Sequence, residues 1–248
     1  MNRKRILFVY AHPDDESFTA GITIPKYVQE ENAEVWLLCA TRGQAGKAGD
    51  PPLCTQAELP KVREQELRKA CEILGISRLE LLDYEDKHLS AIPPAELAAH
   101  VEAIIREFRP QVVVTFPPHG ISGHTDHRAI SEATGLAVRG IPAADNPVYK
   151  LYHATVPDTA PFANRTPFTD PIDTITTVIS APDHVPTAAQ ALLAHRSQHL
   201  SVERVFPGIE KGDYRSVRDV NYFIMVWHQL PNYHLSQKET DLFAGIPL

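Results

Sequence analysis

The sequence predicts an α/β fold in which a mostly parallel sheet lies between layers of helix. Short apolar runs alternate with segments of helical period through the first 140 residues, the pattern of strand-helix-strand units with right-handed crossovers. The runs are continuously apolar rather than alternating, as expected for strands covered on both faces. A chain of 248 residues, 43% hydrophobic and 22% charged, can fill such a core.

The first strand is Ile6 to Ala11. A helix is predicted from about Ser17 to Asn32. Pro25 inside it removes a backbone donor and crowds the residue four back, Gly21, so a kink or a helix broken in two is expected there. Val35 to Ala40 is the second strand, and a long polar loop follows from Thr41 to about Leu59. Loops of that length are often functional. Thr55 and Glu58 have capping-box spacing, Pro60 suits a first helical turn, and the stripe Leu67, Ala70, Cys71, Leu74 ends at Gly75. Leu79 to Asp83 is the third strand; Leu97, Val101, Ile104, Ile105 and Phe108 form the next helical stripe, stopped by Arg109-Pro110. Val112 to Phe116 is the clearest strand, rich in β-branched residues. A loop with His119, Gly120, Gly123 and His124 leads to a helix from about Asp126 to Arg139, closed by Gly140.

The remainder is less regular. Strands are predicted at Tyr149 to Val156, Thr174 to Ile179 and Tyr222 to Trp227, with a helix at Val185 to Ser197. No repeat, low-complexity tract or linker divides the chain. Residues 1–248 are therefore read as one domain, with a Rossmann-like three-layer core at about 5–140 and an irregular C-terminal extension at about 141–248.

Bulk properties exclude several roles. A net charge of -7 argues against a nucleic-acid or anionic-membrane partner. No apolar run approaches the roughly 20 residues of a membrane span. The basic start Met1-Asn2-Arg3-Lys4-Arg5 precedes too short an apolar stretch for a signal peptide, and acids follow where a cleavage site would stand. The segment reads as the first strand of a cytoplasmic protein. Cys39, Cys54 and Cys71 fit no metal knuckle or redox motif, and Cys39 and Cys71 read as packing residues. The glycine-rich stretch Gly43 to Gly49 matches neither nucleotide-loop pattern.

Ligands of such sheets bind beyond the carboxyl ends of the strands. Two motifs fall there. The first is His12-Pro13-Asp14-Asp15-Glu16, where three acids and a histidine end a buried strand. So many acids call for a compensating cation, and histidine with carboxylate suits zinc. Adjacent aspartates of an extended segment point apart, so one can bind metal while the other addresses a water. The plainer alternative is a surface turn with helix-capping acids. The second motif is Gly123-His124-Thr125-Asp126-His127, with two histidines one helical turn apart and Asp126 placed to orient an imidazole. Its plainer alternative is a polar helix start with exposed histidines. The fold brings both motifs to one crevice, and three ligands with an open position is the pattern of catalytic zinc. His195 and His199 are four apart on a predicted helix but lack the glutamate a zincin helix needs, so a supporting role is expected.

These residues resemble the LmbE-like or PIG-L family of zinc-dependent N-acetylglucosaminyl deacetylases. The resemblance extends through Thr41-Arg42-Gly43, Val62 to Leu67, Ala70 to Gly75 and His195-Arg196-Ser197-Gln198. Gly49 to Pro52, Glu58 to Arg63 and Asp86 to Leu89 look most like the second type of bacillithiol-biosynthesis deacetylase, which acts on N-acetylglucosaminyl malate. Two departures are Thr125, where the family usually has proline, and Ser122, where some relatives carry an oxyanion-stabilising tyrosine. The resemblance implies zinc (iron or manganese would tolerate similar ligands) held by His12, Asp15 and His127. It implies Asp14 as general base, His124 as general acid oriented by Asp126, and Arg63 and Asp86 as grips on the sugar and its acidic appendage. It also implies a small-molecule amino-sugar substrate and, as is common among relatives, a homo-oligomer. A same-family amidase acting on a thiol conjugate, or a non-catalytic metal- or sugar-binding protein, are the alternatives; Asp14 and His124 together argue against the latter.

Overall fold

The computed structural model describes residues 3–247; Met1 and Asn2 of the basic start lie outside them. Seven strands form one sheet: β1 (Arg5–Tyr10), β2 (Glu34–Thr41), β3 (Arg78–Tyr84), β4 (Val112–Thr115), β5 (Lys150–Thr155), β6 (Thr177–Ser180) and β7 (Val220–His228). Their order is β3-β2-β1-β4-β5-β7-β6. β1 to β5 are parallel, and β7 runs antiparallel to both of its neighbours. The mostly parallel α/β fold expected from the apolar runs is therefore present.

The helices are α1 (Asp15–Ala20), α2 (Thr23–Glu31), α3 (Leu59–Leu74), α4 (Pro94–Phe108), α5 (Thr125–Gly140), α6 (Val185–Ala194) and α7 (His199–Val205). Ile6 to Tyr10 of β1 and Val112 to Val114 of β4 are sealed from solvent, as the unbroken apolar runs require. Each such side chain contributes about 1.5–3 kcal/mol through burial. β1 pairs with β2 on one side and β4 on the other, and the strand order reverses between β1 and β4. That reversal opens the crevice in which doubly wound sheets hold ligands.

The first helix is broken in two as anticipated. α1 begins at Asp15, two residues before the predicted start, and Pro25 falls in the first turn of α2, where its missing N–H costs no hydrogen bond. Only half of the Thr55/Glu58 capping box forms: Glu58 accepts from the Thr55 N–H at 3.0 Å, one turn ahead of α3. The helix expected over Val185 to Ser197 stops at Ala194. His195 leaves helical geometry, Arg196–Gln198 form a 3-10 turn, and α7 follows, so His195 and His199 do not share a helix face. The predicted strand at 174–179 shrinks to β6, its start taken by a 3-10 turn at Ile172–Thr174. Cys39 and Cys71 are buried free thiols. No helix among the described residues is long and apolar enough to cross a membrane.

Candidate active site

The site sits at the switch between β1 and β4. The chain leaves β1 through Ala11 and turns sharply at Asp14, whose φ of 104° lies in the left-handed region, uncommon for a residue with a side chain. The turn sends the two adjacent carboxylates apart. Asp15 folds back, accepting from the His12 N–H at 2.8 Å. Asp14 instead meets the Arg63 guanidinium at 3.1 Å. The divergence foreseen for an extended segment is thus produced by a helix start.

Across the crevice, the loop after β4 delivers His127 on the first turns of α5. Its ring stacks on Phe116, with centroids 4.1 Å apart. Its Nδ1 faces the Gly120 carbonyl at 2.9 Å, which leaves Nε2 directed at the other motif. Gly120 has φ +67°, and a Cβ there would stand 2.8 Å from that of His127.

The three expected metal ligands converge. His12 Nδ1 and His127 Nε2 are 3.1 Å apart. One Asp15 oxygen is 3.6 Å from His12 Nδ1, and the other is 3.3 Å from His127 Nε2. Tetrahedral zinc with ligands at about 2.0–2.2 Å holds its donor atoms roughly 3.3 Å from one another, so the donor set and its spacing fit that ion. Behind the ligands, His12 Nε2 faces Asp86 at 3.0 Å and Asp126 at 3.2 Å. Carboxylates placed so fix the imidazole tautomer and raise its basicity. Burial alone would lower the His12 pKa, but hydrogen bonds to Asp126 and Asp86 and the charge of Asp15 override it and hold the ring up at about 10. The surroundings of this nitrogen pair therefore favour positive charge. His127 moves the other way, lowered to about 4 by burial and by His12. Burial raises Asp14 and Asp15 above the usual carboxylate range, against the pull of Arg63 and His12 respectively.

Asp126 departs from its expected role. Its carboxylate bonds His12 and accepts from the N–H groups of Lys87 (2.6 Å) and Leu89 (3.1 Å), so it braces the His12 ring and the loop after β3. His124 is oriented instead by the Asp126 main chain, whose N–H donates to His124 Nδ1 at 3.2 Å. His124 is half-buried, and burial with the neighbouring His12 and His127 lowers its pKa. Its ring nitrogen lies within 4.8 Å of those of His12 and His127, which keeps it within reach of the same centre.

Arg63 and Asp86 both line the cleft, but their hydrogen bonds run into the protein. Arg63 donates to the carbonyls of Gly43 and Pro13 and to Asp14. Gly43 permits this approach: with φ +63°, a Cβ there would stand 2.0 Å from Arg63 Nη1. Asp86 accepts from the Ala45 N–H at 3.0 Å on its second oxygen. Ser122 is turned toward the loop, accepting from the His124 N–H at 3.3 Å.

Sequence reasoning missed what Glu16 does. Its carboxylate is buried against His195 Nε2 at 2.8 Å and accepts from the Asp14 N–H at 3.1 Å. Glu66 takes both the N–H and the hydroxyl of Ser197, and Gln198 donates to the Lys47 carbonyl at 2.8 Å. Residues 195–198 thereby tie the C-terminal third to α1, α3 and the glycine-rich loop. The result is a cleft of about 320 Å³ with His12, Asp14, Asp15, His124 and His127 in its wall. A larger groove of about 710 Å³, lined by parts of α4 and α5, holds none of these residues.

The family model for PIG-L, described as GlcNAc-PI de-N-acetylase, matches residues 7–138, just over half of the chain. A probable N-acetyl-alpha-D-glucosaminyl L-malate deacetylase 2 of Bacillus anthracis is 38% identical over 149 residues, covering 60% of this chain and 65% of that protein. The match thus spans a little under two thirds of that relative's length. A 1D-myo-inositol 2-acetamido-2-deoxy-alpha-D-glucopyranoside deacetylase of Kineococcus radiotolerans is 32% identical over 302 aligned positions, covering 98% of this chain and 83% of the relative. The N,N'-diacetylchitobiose deacetylase of Pyrococcus horikoshii superposes with a TM-score of 0.68 at 22% identity, over 90% of this chain and 84% of that one; at this identity the likeness speaks to the fold alone. With the family model spanning β1 to α5 and relatives above 30% identity aligned along the whole chain, the protein belongs to the PIG-L family.

Proposed function

We propose that the protein is a metal-dependent deacetylase that hydrolyses the acetamide of an N-acetylglucosaminyl conjugate, with zinc held by His12, Asp15 and His127. The observation that carries this reading is the convergence of those three side chains in the cleft wall, with Asp14 and His124 lining the same cleft. Zinc in such a site supplies Lewis acidity toward a carbonyl oxygen and a water of lowered pKa.

The chain's own groups supply proton transfer and orientation. Asp14, lifted by burial toward the working pH and steadied by Arg63, takes a proton from the attacking water. His124 delivers a proton to the departing amine, which leaves poorly without one. The depressed pKa of His124 makes its imidazolium a stronger donor. Asp126 and Asp86 fix the His12 ring, and Glu16 with His195 holds the Asp14 backbone.

The relatives' names offer malate and myo-inositol as aglycones. Malate is the aglycone we favour, which would make N-acetylglucosaminyl malate, a conjugate of bacillithiol biosynthesis, the substrate. The test is acetate release from N-acetylglucosaminyl malate by zinc-loaded protein against a chelated control. Chelator-sensitive release supports the reading; no release from this or other N-acetylglucosaminyl conjugates rejects it.

A further inference from the structure

Seven of the eleven arginines outside the cleft have an acid at hand: among the described residues, Arg3, Arg5, Arg42, Arg68, Arg78, Arg106 and Arg215 each pair with a carboxylate, while Arg109, Arg128, Arg139 and Arg196 do not. Three that line the cleft also lack one. Arg165, Arg204 and Arg218 have no carboxylate within 4.0 Å among the described residues, in a chain whose net charge is -7.

These three come together from distant parts of the chain. Arg165 Nη1 donates to the Val205 carbonyl at 3.2 Å, which sets it beside the end of α7 that carries Arg204. Arg218 approaches from the segment before β7. Its Nη1 donates to the Phe18 carbonyl at 3.2 Å, and its guanidinium lies 4.6 Å and 5.6 Å from the ring centres of Phe162 and Phe206. The Arg218 Nε is shut off from solvent and has no hydrogen-bond partner. Burial and the charge of Arg165 draw its pKa down to about 10. A guanidinium held among aromatic rings, beside a second guanidinium and without a counter-ion, is costly unless an anion completes it. Arg63 cannot serve as freely, because both of its terminal nitrogens already bond the protein.

We infer that Arg165, Arg204 and Arg218 form an anion-binding subsite that selects conjugates whose aglycone bears a carboxylate or phosphate over those whose aglycone is neutral. The inference rests on the deacetylase reading for its substrate, but the subsite can be tested without turnover. Planar guanidinium forks match either oxyanion in bidentate fashion.

The experiment compares kcat/KM for N-acetylglucosaminyl malate with that for the neutral myo-inositol conjugate, in wild type and in the paired variant Arg165→Ala/Arg204→Ala. Both side chains are exposed, so their removal leaves the core intact. Arg218→Gln is measured alongside, with its thermal stability. Loss of charge-assisted hydrogen bonds should lower kcat/KM for the malate conjugate by roughly tenfold or more, through KM, while the inositol conjugate changes by less than about twofold. An equal loss on both conjugates, or no loss on either, overturns the subsite.

If wild type cleaves neither conjugate, the deacetylase reading fails and the subsite is judged by calorimetry with L-malate and with inorganic phosphate. Arginine-dependent binding of malate supports a carboxylate occupant, and arginine-dependent binding of phosphate supports a phosphate occupant. Binding of neither, or binding unchanged by the substitutions, overturns the proposal.

Discussion

Replacing His195 by phenylalanine should destabilise the protein far more than the loss of one hydrogen bond would. His195 and Glu16 are both fully buried and meet at 2.8 Å. His195→Phe keeps an aromatic ring in place but leaves the Glu16 carboxylate without its cation. Removing one partner of a buried pair costs about 3–5 kcal/mol, which for a chain of this size corresponds to a Tm lower by roughly 6–20 °C. Glu16→Gln alone should cost only about 1–2 kcal/mol, because the amide oxygen can still accept from the Asp14 N–H and a neutral His195 can still hydrogen-bond. The double variant carries no stranded charge and should cost only about 1–2 kcal/mol, against about 4–7 for the sum of the singles, giving a coupling of about 3–5 kcal/mol. Guanidinium denaturation of the four proteins in chelator reads these values without a metal contribution. A His195→Phe cost below about 1 kcal/mol, or a double variant whose cost is the sum of the singles, would refute the buried-pair argument.

Three further outcomes are expected. Asp14→Ala should retain zinc by elemental analysis yet turn over roughly 10²–10⁴-fold more slowly; near-wild-type activity with metal bound would remove Asp14 from proton transfer. Asp126→Asn should weaken zinc affinity by about 10–100-fold because it loosens the His12 ring, whereas His124→Ala should leave affinity nearly unchanged; a large loss in His124→Ala would make His124 a ligand. Zinc added to chelated protein should raise Tm in a concentration-dependent way, by linkage to the folded state, and a Tm indifferent to zinc would mean that the cluster holds none.

What could be read from the sequence follows from the range of the forces involved. β1 and β4 are unbroken apolar runs because both faces are covered, so burial writes itself directly into composition. The choice of His12, Asp15 and His127 rests on the family resemblance, whereas the two motifs that carry them could be brought together on paper because topology alone sends both loops to one end of the sheet. The partners of Asp126 and Asp86 could not, since Asp126 lies 114 positions from His12 in sequence and nothing local marks the contact. The end of α6 at Ala194, three residues before the predicted Ser197, has the same character: His195 leaves helical geometry where it meets Glu16, 179 positions away. β7 was placed to within two residues, but its antiparallel direction is a property of the sheet rather than of the segment. Arg165, Arg204 and Arg218 carry no motif at all and acquire meaning only through proximity.

The ties made by residues 195–198 bear on how the protein matures during synthesis. By the time Gly140 has left the ribosome, every proposed metal ligand has been made, yet the Glu16 carboxylate has no His195 to meet and Glu66 has no Ser197. The buried strand β4 would also stand as an open edge, because its neighbour β5 begins only at Lys150, and open edges invite pairing with other chains. Metal acquisition before residue 198 has emerged would therefore act on a complete set of proposed ligands whose neighbouring carboxylates, Glu16 and Glu66, are still unpaired. The packing around the centre is thus completed only when the C-terminal third is available to close over α1 and α3.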